Sequence, residues 1–171
     1  MTRFVALLRG VNVGGVNIRM ADLAETFRGL GYTSVKTVLA SGNVAFDTDG
    51  TASDARTAIE GALRDRFGYD AHVHVLDLAT LRAVVENDPH EPREGWHRYV
   101  VFFMDGNAPA ELAERAAGSD LESASLGAGV LYWSVERGHT LDSPLGTMLG
   151  TAKWRTNSTN RNLNTLEKLL R

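Results

Sequence analysis

Apolar positions along this chain come in short runs, and their spacing alternates between the strand and the helix period. Phe4 to Leu8 is continuously apolar and predicts a buried strand over residues 3–10. In "MADLAETFRGLGY", Met20, Leu23, Phe27 and Leu30 recur every three or four residues, which predicts a helix that Gly31 stops. "VKTVLASGNVAFDT" reads as two strands around Ser41-Gly42-Asn43, residues that tolerate the positive φ of tight hairpins. A second helix carries Ile59, Leu63 and Phe67, with Asp54 or Ser53 as its cap and Gly68 as its stop. "AHVHVLDL" is a fourth strand, and "LATLRAVVEND" a further helix.

The second half repeats this order. "RYVVFFM" (98–104) is a strand, "APAELAERAAG" a helix starting near Pro109, and "LESASLGAGVLYWSVER" two strands around Gly127–Gly129. "SPLGTMLG" supplies the next helix, with Ser143 as cap and Pro144 at its first position. "STNRNLNTLEKLLR" reads as a terminal helix capped by Ser158 or Thr159, with Leu163, Leu166 and Leu170 on one face. Strand, helix, strand, strand, helix, strand is the split βαβ order. The expected fold is α+β: two ferredoxin-like subdomains, antiparallel sheets with helices packed on one face, plus a C-terminal helix. The Pro-bearing break "NDPHEPREGW" separates residues 1–88, a subdomain with its following helix, from residues 96–171, a subdomain with the terminal helix. The halves share no residue-level repeat.

Composition narrows the function classes. The chain has 171 residues, 43% of them hydrophobic, enough for a sizeable core. There is no cysteine, which excludes disulfides and thiolate metal sites and fits a reducing cytoplasm. No run approaches the ~20 apolar residues of a membrane span. The net charge of −3 is unevenly spread. Residues 151–171 hold Lys153, Arg155, Arg161, Lys168 and Arg171 against Glu167, a balance of +4 that leaves −7 on the other 150 residues. A basic tail on an acidic body points to an anionic partner, or to pairing with the protein's own acidic face.

Two polar clusters could carry chemistry. "LLRGVNVGGVNIRM" ends a strand in a turn bearing Asn12, Gly14, Gly15 and Asn17, between Arg9 and Arg19. It lacks the middle glycine of a dinucleotide fingerprint and the Gly-Lys-Ser/Thr of a Walker loop. Successive backbone N–H groups in such a turn form an anion nest. The alternative is that the glycines only supply unusual backbone angles. Ser41-Gly42-Asn43 is a hairpin turn, and no neighbouring base is evident for Ser41 as a nucleophile. At the other end, Asn157 to Asn164 crowd polar side chains around Arg161. On the first turn of a helix Arg161 would oppose the dipole, unless an anion binds nearby. Trp154, between Lys153 and Arg155, would offer a stacking face. The five histidines give no metal-ligand spacing, and neither a metal nor a cofactor is implied.

"ALLRGVNVGGVNIRMADL", "VLASGNVAFDT" and "TNRNLNT" together resemble signatures of the bacterial family catalogued as domain of unknown function 1697. The resemblance spans essentially the whole chain and implies two ferredoxin-like subdomains and no established activity. The family's C-terminal pattern resembles Thr-x-Arg-Asn-Trp-Asn-Thr, and here Leu163 replaces the aromatic residue.

The expected function is a cytoplasmic, non-enzymatic binder of a phosphate-bearing or anionic ligand, a nucleotide or short nucleic acid. Its contacts would be Arg9, Asn12, Gly14, Gly15, Asn17, Ser41, Asn43, Thr159, Arg161 and Asn162. The pI near 5.9 speaks against a typical nucleic-acid binder. The alternatives are an enzyme on a small anionic substrate, oriented by Arg9 or Arg161, and an interaction or assembly module with exposed apolar edges on "RYVVFFM" or "VLYWSV". The oligomeric state is not encoded in any of these patterns.

Overall fold

The computed structural model describes residues 1–10, 16–39 and 42–171. It divides into two compact units, residues 1–82 with 167–171, and residues 83–166. The fold is α+β, with two four-stranded antiparallel sheets, helices and a C-terminal helix. No helix among the described residues is long and apolar enough to cross a membrane.

The first unit contains β1 (Thr2–Leu8), α1 (Met20–Gly29), β2 (Thr33–Val38), β3 (Asn43–Thr48), α2 (Ala52–Phe67) and β4 (Val73–Asp77). Its sheet order is β2-β3-β1-β4, so the strand with the most continuous apolar run sits inside the sheet. Phe4, Ala6 and Leu8 alternate onto one face, where they meet Val44, Phe46 and Val73, with Leu23 and Phe27 from α1 and Ile59 and Leu63 from α2. Phe46 is the aromatic hub. Its ring stacks on Tyr32 at 4.7 Å and Phe4 at 5.9 Å and meets Phe27 edge-on at 5.4 Å. The N-terminal cap of α2 is Thr51, whose hydroxyl accepts from Asp54 N at 3.1 Å. The expected Asp54 and Ser53 lie inside the first turn instead, because the helix starts at Ala52. Gly68 closes α2 with φ 68°, donating its N–H to Arg64 O.

The second unit runs from α3 (Leu78–Glu86) through β5 (Trp96–Phe103), α4 (Ala110–Ala116), β6 (Glu122–Leu126), β7 (Val130–Glu136), α5 (Pro144–Leu149), α6 (Ala152–Asn157) and β8 (Ser158–Asn162) to α7 (Leu163–Leu169); α3 and α7 each straddle the division. The sheet order is β6-β7-β5-β8, the same permutation as in the first unit. Val101, Phe103, Leu131, Trp133 and Val135 face the core, covered by Leu112, Leu145 and Trp154. Ser143 caps α5 by accepting from Gly146 N, with Pro144 at the first helical position, as the sequence predicts. Pro109 is the residue before α4 rather than part of its first turn.

Four expectations are corrected here. Ser158–Asn162 is strand, not helix, so neither Ser158 nor Thr159 caps the last helix. The segment pairs with β5 from Tyr99↔Asn162 to Phe103↔Ser158, closing an edge whose residues Val100–Phe103 are buried. A buried backbone that lacks ladder partners costs too much to leave open. Helix α7 therefore starts at Leu163, and Asn164 N donates to Asn162 Oδ1 at 2.9 Å. Second, the interval after Ser143 holds two short helices rather than one. Third, Trp154 is buried and meets Phe103 edge-on at 6.2 Å, so its ring is core and offers no exposed stacking face. Fourth, β5 and β7 are interior strands, so neither offers the exposed apolar edge that would support the assembly alternative.

Replacing Phe46 by Ala should destabilise the protein by about 3–5 kcal/mol, since it removes a ring with three aromatic neighbours. Urea unfolding followed by circular dichroism measures this; a loss below about 1 kcal/mol would mean the hub is not packed as described.

Candidate functional site

The candidate residues group by unit. In the first, Arg9 directly follows β1, half-buried, with its N–H donating to His72 O at 3.1 Å. Leu8 N donates to Gly42 O at 2.9 Å, which holds the β2–β3 turn against the same end of β1. Asn43 opens β3 and is fully buried; its Nδ2 donates to Val38 O at 2.8 Å across the hairpin. That amide therefore serves the turn. Asn17 is exposed ahead of α1. Arg19 is exposed and bonds Asp22, with Nε 2.9 Å from Oδ2. Asn12, Gly14, Gly15 and Ser41 lie outside the described residues.

The same end of the sheet holds a residue that the sequence pattern did not single out. The Tyr69 hydroxyl is buried and has no hydrogen-bond partner among the described residues. Burial pushes its pKa up to about 12, while the charge of Arg9 pulls the other way. Arg9 is thus electrostatically coupled to Tyr69. Asp70 beside it accepts a hydrogen bond from His72 at 3.1 Å, and that bond, with the His72 charge, holds its carboxyl below the usual range.

In the second unit, Thr159 and Arg161 are two residues apart on β8 and share one face. Both are buried, Arg161 at 6% exposure. Arg161 Nη1 donates to Thr159 Oγ1 at 2.7 Å and to Asn160 O at 3.0 Å. Burial pulls its pKa down to about 10, which still leaves the guanidinium charged at neutral pH. Asn162 is half-buried and occupied at the start of α7. Strand geometry brings Arg161 and Thr159 together; a helix would have set them 200° apart.

Two further polar arrangements escaped the sequence reading. Glu122, at 3% exposure, accepts from Trp133 Nε1 at 3.0 Å, Ser143 Oγ at 2.7 Å and Leu145 N at 2.9 Å. It ties β6 to β7 and to the start of α5. Asp88 Oδ1 accepts from His90 N at 2.9 Å and lies 3.2 Å from His90 Nδ1. Asp88 Oδ2 and His90 Nε2 are both buried without a hydrogen-bond partner among the described residues. The imidazole is oriented by a carboxylate. Among the described residues no group of three or more His, Asp or Glu could hold a metal ion.

With this geometry established, comparison with known proteins places the chain. A family model described as a protein of unknown function, DUF1697, matches residues 1–132. The chain belongs to this family. No curated protein matches it significantly. Among solved structures, the conserved bacterial protein SP0830 from Streptococcus pneumoniae is similar, with a TM-score of 0.78 and 22% identity over 98% of this chain and 96% of that one. At that identity the likeness establishes the fold alone. The matched region takes in the Asn/Gly loop and ends before β8, which carries Arg161.

Two measurements check the site. Between its ordinary value of 10 and about 12, the Tyr69 phenol keeps its proton in the fold after the unfolded chain has lost it. Stability should therefore fall as pH rises through that window, and Tyr69→Phe should flatten the fall in urea midpoints taken at about pH 9 and pH 11. An unchanged slope would place the phenol in water. Glu122→Gln replaces one acceptor oxygen by an amide NH2 that faces donors and should cost about 1–3 kcal/mol. Tryptophan fluorescence follows it directly, because Trp133 bonds that carboxylate.

Proposed function

We propose that the protein is a non-enzymatic binder of a phosphate-bearing or otherwise anionic ligand, a nucleotide or short nucleic acid by class, acting in the cytoplasm. The observation that carries this reading is the buried Arg161 guanidinium on β8. Its bonds to Thr159 Oγ1 and Asn160 O hold the group in place on the strand. A fixed cation in a low-dielectric setting attracts an anion more strongly than a solvated one. A guanidinium also matches phosphate and carboxylate oxygens two at a time. In sequence, residues 151–171 carry a balance of +4. The buried Trp154 removes the base-stacking platform, so the reading rests on the phosphate rather than the base.

A thermal-shift series with inorganic phosphate, mono- and dinucleotides and short single-stranded oligonucleotides tests it. A ligand at ~100 times its dissociation constant adds ~2.7 kcal/mol, a rise of about 5–10 °C at this length. Arg161→Lys keeps the charge but loses the fork and should weaken the rise. Arg161→Gln should abolish it. Absence of any rise across the series, or an undiminished rise in a folded Arg161→Gln protein, would contradict the proposal.

A further inference from the structure

We infer that the free edge of β6 is a docking strand for an extended, basic peptide. Strand β6 ends the second sheet, with β7 on one side and, among the described residues, no strand on the other. Its ladder is bracketed by Glu136 N donating to Leu121 O and Gly127 N donating to Val130 O, at 2.8 and 2.9 Å. Hydrogen-bonded positions alternate in an antiparallel pair. Leu121, Ser123, Ser125 and Gly127 therefore aim their backbone groups at β7. Glu122, Ala124 and Leu126 aim theirs outward; Glu122 is buried, so Ala124 and Leu126 are the open positions. The register with β7 is unbroken from Glu122 to Leu126.

Comparison with the first unit sharpens the point. Strand β2 occupies the equivalent edge, in the order β2-β3-β1-β4 against β6-β7-β5-β8. That edge is blunted: its register with β3 shifts between Thr33 and Lys36, and Lys36 adds a charge. Irregularity and lysine are two of the protections of a sheet edge, beside short strands and inward charges such as Glu122. "ESASL" has neither, nor a proline.

A cleft of about 690 Å³ lies along this strand, lined by Glu122–Ala124 and by small residues at the end of α4, Ala113, Ala116 and Ala117. The small side chains leave room for those of a partner strand. Its charged wall includes Glu91 and Asp120, both exposed. Arg93, also on the wall, is stacked with its guanidinium carbon 4.0 Å from the centre of the Trp96 ring. Strand addition takes its affinity from main-chain bonds and its choice of partner from side-chain complementarity. Here the complementary partner carries lysine or arginine. A second copy of this chain would set Glu91 and Asp120 against carboxylates of its own kind, which disfavours self-pairing.

The test uses the full chain and a capped hexapeptide of alternating valine and lysine. Its controls are the valine–glutamate counterpart and a valine–lysine version with alternate backbone nitrogens methylated. By NMR, the lysine peptide should shift the amide signals of Ala124 and Leu126 and slow their exchange. The glutamate peptide should bind at least about tenfold more weakly, and so should the methylated one. Ala124→Pro removes an outward N–H without breaking the β7 ladder, so it should fold and lose the peptide. If it does not fold, the methylated peptide makes the same distinction. The double variant Glu91→Lys, Asp120→Lys should prefer the glutamate peptide. Binding that ignores backbone methylation, shifts that avoid β6, or a concentration-dependent dimer that protects the β6 amides would each overturn the inference.

Discussion

A buried strand must have its backbone hydrogen-bonded on both edges, and this requirement organises both units. Phe4–Leu8 and Val100–Phe103 are buried, so water cannot satisfy their N–H and C=O groups. Strands β1 and β5 consequently take the inner positions, each with two antiparallel neighbours. For β1 the neighbours are β3 and β4, both apolar enough to be strands on their own account. For β5 one neighbour is β7, and the other is the polar segment Ser158–Asn162. The candidate chemistry follows from that last pairing. Thr159 and Arg161 enter a buried face because β5 needs a partner there, and the strand period places them side by side.

The cost of that arrangement is visible in Arg161. Desolvation lowers its pKa, yet the group keeps its proton at neutral pH. A neutral side chain would complete the β5 ladder equally well, since the ladder uses only backbone. The β5 ladder thus requires the strand and not the charge. Asn43 serves its hairpin through the side chain. It is as fully buried as any residue in the first unit, but its amide closes the hairpin through Val38, so a structural role accounts for it. Glu122 is likewise explained by the three donors it satisfies.

Much of the fold was legible because local pattern and tertiary role agree. The run Phe4–Leu8, the helical spacing of Leu23 and Phe27, and Ser143-Pro144 at the start of α5 each carry a local signal that the packing then uses. Strand β8 was not legible. Polar residues ahead of Leu163 and Leu166 read as a capped helix start, and only the distant edge of β5 decides otherwise. Trp154 misled for the same reason: its charged neighbours suggest a surface, while Phe103 lies far away in sequence. Glu122 and Tyr69 carry no local mark, because their partners and their burial come from remote segments. Of the candidate site, Arg161 and Thr159 could be named from the clustering of polar residues, but their shared buried face could not.

The central claim is that β8 holds a charged guanidinium in place to meet an anion. Side-chain NMR of Arg161, recorded while inorganic phosphate is added, tests it most directly. The account predicts that the Arg161 Nε–H signal is present at neutral pH, shifts saturably with phosphate and shows slowed rotation of the guanidinium. A signal that stays fixed while phosphate moves only exposed arginines such as Arg19 would contradict it.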